Sequence, residues 1–225
     1  MESRRDQIMR VAARLFAEHG IAGTSVRDIA LEVGMLSGSL YHHFPSKDAI
    51  AAAVLGDFLT DLNARYESVL PHVDGLRARL RALIHESILV AEKHPYATEI
   101  YQNERSLHGP DAPAEIAEAV HRAHTFWSDT AQTGSATGEL RAELEPAEFA
   151  RVLRESVWWS VRYHRESLAA DAQSITDTLF LVFVEGAATP DAAPAPAVAI
   201  TEYRIADQLD RIEAQLVALS HDQSR

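Results

Sequence analysis

The 225-residue sequence predicts an all-α protein. Apolar residues recur three and four positions apart through most of the chain, which is the spacing of one face of a helix. No segment alternates apolar and polar residues in the manner of a half-buried strand. We expect three parts: a three-helix head over residues 1–50, a helical body over residues 51–188, and a linker with an extra C-terminal helix over residues 189–225.

The predicted helices follow one another with short breaks, because proline and glycine interrupt helical segments. The first helix covers about residues 3–19, and two shorter helices lie within residues 25–44. The breaks after them fall at Pro71, at residues 109–113 and at residues 133–140. Between these breaks we expect helices at about residues 46–70, 75–93, 95–109, 113–131, 146–165 and 174–187.

Residues 25–44 give the strongest local signal, a helix followed by a glycine turn and a second short helix. Ser25, with Asp28 three residues later, has the pattern of a capping box at the start of the first helix. Gly34 can take the left-handed conformation that ends a helix. The pattern predicts a helix-turn-helix element.

The second helix of this element has an outer face suited to DNA. Ser37 is its predicted N-cap, with Leu36 and Leu40 turned toward the core. Small residues and hydroxyl groups would then face outward, where they can approach bases and phosphates. The helix carries no Arg, Asn or Gln for bidentate base pairing. Hydroxyls, apolar contacts, bridging water, DNA shape or an N-terminal arm with Arg4 and Arg5 must therefore supply sequence preference.

Charge and composition limit the possible functions. The net charge is −12, but residues 1–50 hold six basic and six acidic side chains, so the excess of acid lies on the body. An acidic body repels DNA and favours docking through the neutral head. The chain has no cysteine, which excludes disulfides and thiolate metal sites. His121 and His124 have no third ligand at metal-site spacing, so we expect neither a metal nor a cofactor.

The location predicted for this chain is the cytoplasm, without membrane association. Charge begins at Glu2 and recurs through Arg14, so no apolar signal-type segment is evident at the N-terminus. The longest apolar run, residues 179–184, is far too short to span a bilayer.

The C-terminal segment is predicted to be a Pro/Ala linker followed by an amphipathic helix. Residues 187–197 are almost entirely Ala and Pro, a composition that does not form a core. Apolar residues then recur at alternating intervals of four and three, at Ile205, Leu209, Ile212, Leu216 and Leu219. This helix could fold back on its own body or contact a second subunit, and the pattern leaves both open.

The head resembles the TetR family of bacterial transcriptional regulators. The similarity runs through RRDQIMRVAARLFAEHG (4–20), TSVRDIALEVGMLSGSLYHHF (24–44) and PSKDAI (45–50). The alternative is a helical hairpin in an ordinary all-α protein. The resemblance implies a DNA-binding head and a body that binds a small molecule and forms a dimer.

The predicted DNA-binding residues combine the outer face of the helix-turn-helix with its flanks. Thr24, Ser25, Arg27, Tyr41, His42 and Lys47 are expected near phosphates, Ser37, Gly38 and Ser39 near base edges, and Arg5 in the N-terminal arm. The alternative for each is an ordinary capping or surface role.

One face of the predicted eighth helix combines cationic and aromatic side chains. Arg154, Trp158 and Arg162 are four residues apart, so they project from the same side. Two guanidiniums beside an indole suit a ligand with an apolar body and anionic groups. The alternative is that both Arg residues pair with acids at a dimer interface and that Trp158 is core.

The strings GMLSGSLYHHF, IYQNE (100–104) and RESVWWSVRYHR (154–165) are similar to one branch of the TetR family, the repressors of late steroid-ring catabolism that sense CoA thioesters. This resemblance implies an acyl-CoA-type effector bound by the face of the eighth helix. Five further pocket candidates, each of which could instead be plain core, are Phe58, Tyr66, Ile88, Tyr101 and Trp127.

The ninth predicted helix is apolar nearly all round, so it needs two partners. One partner is the body's own core, and a second subunit is the simplest other. The expected dimer interface comprises Ile175, Leu179, Val182 and Gly186, together with Trp159. A two-fold dimer would match a palindromic operator on double-stranded DNA. A central core helix in a monomer is the alternative.

Together these patterns predict a homodimeric repressor that an effector releases from its operator, rather than an enzyme. One rival is an enzyme acting on acyl thioesters, although no nucleophile elbow, metal set or phosphate-binding glycine loop supports it. Another is a nucleoid DNA binder without a ligand. A regulator of drug or lipid efflux, with a different hydrophobic ligand, is a third.

Overall fold

The computed structural model describes residues 3–103, 112–165 and 167–185. The predicted linker and C-terminal helix over residues 189–225 lie outside this part of the chain, as does Gly186. The described residues form helices without any strand, so the predicted all-α class is confirmed. The helices are α1 (Arg4–Gly23), α2 (Val26–Val33), α3 (Ser37–Tyr41), α4 (Lys47–Val69), α5 (Leu76–Lys93), α6 (Ala97–Asn103), α7 (Ala114–Ala136), α8 (Pro146–Tyr163) and α9 (Leu168–Leu179).

Local capping signals position α2 as the sequence predicted. The Ser25 hydroxyl accepts a hydrogen bond from the Asp28 N–H at 3.2 Å, and the Asp28 carboxylate accepts one from the Ser25 N–H at 2.9 Å. Gly34 ends α2 with φ 72°. The Met35 N–H then bonds to the Ala30 carbonyl at 2.9 Å, which completes a Schellman turn.

The start of α3 differs from the prediction. Leu36, not Ser37, is the N-cap residue, and it makes no side-chain capping bond. Its side chain is 79% exposed rather than turned inward, whereas Leu40 is fully buried as expected. The turn after Gly34 brings Leu36 to the surface one residue before the helix starts, so helical periodicity does not apply to its side chain.

The first helix is longer than predicted and includes the residues expected to form an arm. Ser3 caps α1 through a capping box with Asp6, so Arg4 and Arg5 occupy its first turn. Gly20, with φ 74°, interrupts the helix near its end. A short helical stretch then continues to Gly23.

Two helix boundaries in the body also differ from the sequence pattern. The helix α7 runs through Gly134, where an added Cβ would lie 2.7 Å from a Leu76 methyl. The sequence predicts a loop at Gly134, but the glycine is there because α7 packs closely against Leu76 of α5. The helix α9 begins at Leu168, six residues before the expected start, because Leu168 and Ala172 are buried against the body.

The long helix α4 connects the head to the body. It packs against α1 in the head and against α5, α6 and α7 in the body, and α6 also packs against α1. One continuous apolar core therefore runs from the head, through Ile50 and Leu55 of α4, to Leu83 and Leu153 in the body. A displacement of α4 or α6 would be transmitted to the head.

Candidate functional site

A cavity of about 90 Å³ lies inside the body between α4, α6, α7 and α8. Its walls are mainly apolar and aromatic. The lining residues are Phe58, Leu59, Leu62, Tyr66, Thr98, Tyr101, Val120, Ala123, His124, Trp127, Arg154, Glu155 and Trp158. Six of the eight predicted ligand-binding residues are among them: Phe58, Tyr66, Tyr101, Trp127, Arg154 and Trp158.

The other two predicted ligand-binding residues lie elsewhere. Ile88 is fully buried on α5 and does not line the cavity. Arg162 is exposed, and its guanidinium lies 5.7 Å from the centroid of the Trp159 ring. Eight residues along a helix amount to a rotation of about 80° from Arg154, which is enough to carry Arg162 from the cavity to the surface.

Arg154 is the cationic side chain of the cavity wall, and only 12% of it is exposed. Its Nη2 donates a hydrogen bond to Glu155 Oε1 at 3.1 Å. Its buried Nε has no hydrogen-bond partner among the described residues. A buried guanidinium donor without a partner is costly, and an anionic or carbonyl-bearing ligand would supply the missing acceptor.

Apart from Glu155, the remaining polar groups of the cavity are neutral near pH 7. Burial raises the pKa of Tyr66 to about 12. The Tyr66 hydroxyl lies 2.5 Å from Ser87 Oγ and accepts a hydrogen bond from Trp127 Nε1 at 3.3 Å. Burial, reinforced by the charge of Arg154, lowers the pKa of His124 to about 4. Arg154 therefore faces apolar and neutral groups, apart from its half-exposed neighbour Glu155.

Sequence reasoning found only one of the four α7 residues that line this cavity, Trp127. Besides Trp127, α7 provides Val120, Ala123 and His124. These four residues occupy positions i, i+3, i+4 and i+7, the spacing of one helix face, so the signal was present in the sequence. Glu155 carried no comparable signal, because its place beside the cavity depends on how α8 packs.

The predicted DNA face is largely exposed around α3. Ser25, Arg27, Gly38, Ser39, Tyr41 and His42 are exposed, and Ser37 is partly exposed. Arg5 is exposed too, and its guanidinium lies 4.2 Å from the centroid of the Phe44 ring. These residues are therefore open to a partner, as DNA contact requires.

Two predicted phosphate contacts are instead directed into the protein. Thr24 is buried, and its hydroxyl donates hydrogen bonds to the carbonyls of Leu15 at 3.2 Å and Gly20 at 2.9 Å. Lys47 Nζ donates to the carbonyls of Ile21 at 2.6 Å, Thr24 at 3.1 Å and Ala22 at 3.3 Å. Most of these carbonyls lie near the end of α1, so both side chains hold the segment that leads into α2, and a phosphate contact by either stays a prediction.

Replacing Lys47 with methionine is expected to lower the free energy of unfolding by about 2 kcal/mol, because it removes charge-assisted hydrogen bonds. The affinity of this variant for DNA should also fall, but the slope of log affinity against log salt concentration should stay unchanged. Arg27→Met is the matched control: it should reduce that slope by about one and leave unfolding unaffected. For each variant, urea unfolding measures the stability, and fluorescence anisotropy at several salt concentrations measures the salt slope of DNA binding. A lower salt slope for the Lys47 variant at unchanged stability would identify a direct phosphate contact instead.

A stripe of exposed apolar residues runs along α8, on the side away from its buried face. Val152, Trp159 and Tyr163 are 38%, 62% and 86% exposed. Their spacing of seven and four residues keeps them within about 40° of one another around the helix. Beyond α9, Leu181 and Val182 add further exposed apolar area.

The residues of α9 that the sequence assigned to a dimer interface are used differently. Ile175 and Leu179 are buried within the chain, because this face of α9 packs against α5. Val182 and Trp159 are exposed as an interface would require. When a helix is apolar nearly all round, its sequence does not reveal which face packs on its own core. In α9 the face with Ile175 and Leu179 packs against α5.

The described ranges contain no group of three or more His, Asp or Glu side chains arranged to hold a metal ion. Among the helices of these ranges, none has both the length and the apolar character that a membrane crossing needs.

Comparisons with known proteins identify the family. The family described as "Bacterial regulatory proteins, tetR family" matches residues 8–54, and "Tetracyclin repressor-like, C-terminal domain" matches residues 74–187. The transcriptional repressor KstR2 of Rhodococcus jostii is 32% identical over 188 residues, which cover 83% of this chain and 92% of that protein. KstR2 of Mycobacterium tuberculosis is 34% identical over 187 residues, covering 83% and 94%.

A solved structure, that of the ketosteroid transcriptional regulator KstR2 of Mycobacterium tuberculosis, superposes with a TM-score of 0.75 at 34% identity. The superposition covers 83% of this chain and 95% of that one. These relatives belong to the branch that the helix-turn-helix and α8 strings resembled, and they are repressors rather than enzymes. The chain therefore belongs to the TetR family of bacterial regulatory proteins and is a KstR2-like transcriptional repressor.

Proposed function

We propose that this chain binds a palindromic operator as a homodimer and leaves it when an acyl-CoA-type thioester enters the body. The observation that carries the proposal is the aromatic cavity with the buried, incompletely paired guanidinium of Arg154. Apolar walls suit the acyl group, and Arg154 suits a carbonyl, carboxylate or phosphate oxygen at one end of it. The similarity to a ketosteroid regulator makes a ring-containing acyl group the first candidate.

The small volume of the cavity supports a mechanism based on two states. About 90 Å³ is well below the roughly 300–1,000 Å³ of ordinary ligand sites. A ring-containing ligand therefore requires the helices around the cavity to move apart. A ligand that binds only the expanded state shifts the population toward it, and DNA that binds only the closed state opposes that shift.

A chain of contacts leads from the cavity toward the head. The Phe58 ring packs edge-on against Trp158 at 5.7 Å and against His94 at 5.8 Å. His94 Nε2 lies 3.2 Å from the Asp61 carboxylate, and His94 itself ends α5. Displacing Phe58 would disturb this pair and the short turn into α6, which packs against α1 of the head. We propose this route as the coupling between effector and operator.

The exposed stripe of α8 supplies the proposed dimer contact. Pairing Val152, Trp159 and Tyr163 across a two-fold axis would bury the largest exposed aromatic area on the described body. An isologous interface of this kind holds two heads at a fixed separation. Expansion of each cavity next to α8 would change that separation and so release a two-fold symmetric operator.

The proposal is tested by fluorescence anisotropy on DNA from upstream of the chain's own gene. The protein should bind tightly, and a ring-containing acyl-CoA should release it, whereas free CoA and short fatty acyl-CoAs should act weakly or not at all. Tight binding that no thioester affects would refute the proposed effector class. Turnover of the thioester during the titration would contradict the repressor mechanism.

A further inference from the structure

The fold gives no reason for a leucine at position 36. It is the N-cap residue of α3, where Ser, Thr, Asp and Asn are preferred because their side chains bond to helix N–H groups. Leucine makes no such bond here. Its backbone is held in place, because its carbonyl accepts hydrogen bonds from the N–H groups of Ser39 at 2.9 Å and Leu40 at 3.2 Å. The side chain is thus directed outward by an ordered backbone.

The surroundings of Leu36 leave its side chain free to reach a partner. It is 79% exposed, so the chain's own core does not use its apolar surface. The next three residues, Ser37, Gly38 and Ser39, are small, and a Cβ added at Gly38 would have no neighbour within 4 Å. Leu36 is therefore the large apolar group at the start of α3, the second helix of the helix-turn-helix.

The chemistry of the major groove indicates what this group would contact. The C5 methyl of thymine is the apolar feature on the base edges of the groove, and aliphatic side chains recognise it by direct contact. The α3 residues, Ser37–Tyr41, carry no Arg, Asn or Gln, so bidentate hydrogen bonding from this helix is excluded. An apolar contact is the remaining strong direct base contact available at its start.

We propose that Leu36 is a specificity-determining residue, which packs against the methyl group of one thymine in each half of the operator. This inference rests on the proposed operator binding. Covering the leucine with that methyl removes apolar surface of both partners from water, so the preference for thymine over cytosine at this position comes from burial rather than from a hydrogen bond.

The test deletes the methyl group alone. Each thymine of the footprinted operator is replaced in turn, in both half-sites, by 2′-deoxyuridine, which keeps every hydrogen-bonding group. For the wild-type protein, one position should weaken binding by about fourfold per half-site. Leu36→Ala should bind the unmodified operator about 16-fold more weakly, about fourfold for each half-site, and should not respond to the substitution at that position.

Leu31→Ala is the matched control. Leu31 is also 79% exposed, but it belongs to α2 and not to the start of α3. It should keep wild-type affinity and the wild-type response to deoxyuridine. Equal responses of the wild type and Leu36→Ala at every thymine would overturn the assignment while leaving operator binding intact. Failure of the wild type to prefer any sequence would overturn both the assignment and the proposed function.

Discussion

Replacing Arg154 with glutamine is expected to raise the concentration of ring-containing acyl-CoA needed to release DNA by about 100-fold. Removing one partner of a buried, charge-assisted contact costs about 3 kcal/mol, which corresponds to that factor. Operator affinity without effector should stay within about twofold of wild type, because Arg154 lies in the cavity of the body, which no residue of α2 or α3 lines. Anisotropy titrations of the preformed protein–DNA complex measure both quantities.

Arg151→Gln is the matched control for this experiment. It removes the same charge from the same helix, but Arg151 is exposed, pairs with Glu148 and does not line the cavity. The control should release DNA at the wild-type effector concentration. If both variants needed the same higher effector concentration, the overall positive charge of α8 would explain the effect, and not a specific contact of Arg154 with the effector. Loss of operator binding by Arg154→Gln itself would indicate a folding role instead.

Replacing Trp159 with arginine is expected to produce a monomer and to reduce operator affinity by about 1,000-fold or more. The substitution removes the central apolar group of the α8 stripe and places a second guanidinium beside Arg162. Across a two-fold axis four like charges would then face one another, a juxtaposition that costs several kcal/mol. A single head retains only half of the operator contacts. Analytical ultracentrifugation and anisotropy on the same samples measure the two effects.

Ala117→Arg provides the comparison, because it adds the same charge at an exposed position of α7. This variant should remain dimeric and bind the operator normally. Thermal unfolding of both variants checks that each body still folds. A dimeric Trp159→Arg protein with wild-type operator affinity would exclude α8 as the interface.

The helix-turn-helix could be predicted in detail because its signals are local. The capping box of Ser25 with Asp28 and the left-handed Gly34 act within a few residues, so no knowledge of tertiary packing is needed. The same rules misassigned Leu36, whose exposure depends on where the turn ends. They also gave no sign of the inward hydrogen bonds of Thr24 and Lys47, because only the fold brings both side chains to carbonyls near the end of α1.

The sequence predicted which helices line the pocket better than it predicted the individual lining residues. Aromatic residues on α4, α7 and α8 converge because each lies on the inward stripe of its helix. Arg162 lies outside the cavity because eight residues of helix rotate its side chain by about 80° from Arg154, and the sequence does not reveal how far the cavity extends around α8. The interior use of Ile175 and Leu179 depended on the packing of α9 against α5, for which an apolar helix gives no directional signal.

The most direct test of the central claim, that one cavity controls DNA binding through two states, is the reciprocal coupling. The dissociation constant of a fluorescent ring-containing acyl-CoA should be measured on the free protein and on the protein saturated with operator. Linkage requires DNA to weaken effector binding by the same factor by which the effector weakens DNA binding. We predict a factor of about 100 in both directions, a coupling of about 2.7 kcal/mol. Equal effector affinity in the presence and absence of operator would contradict the mechanism, because a ligand that does not distinguish two states cannot shift the equilibrium between them.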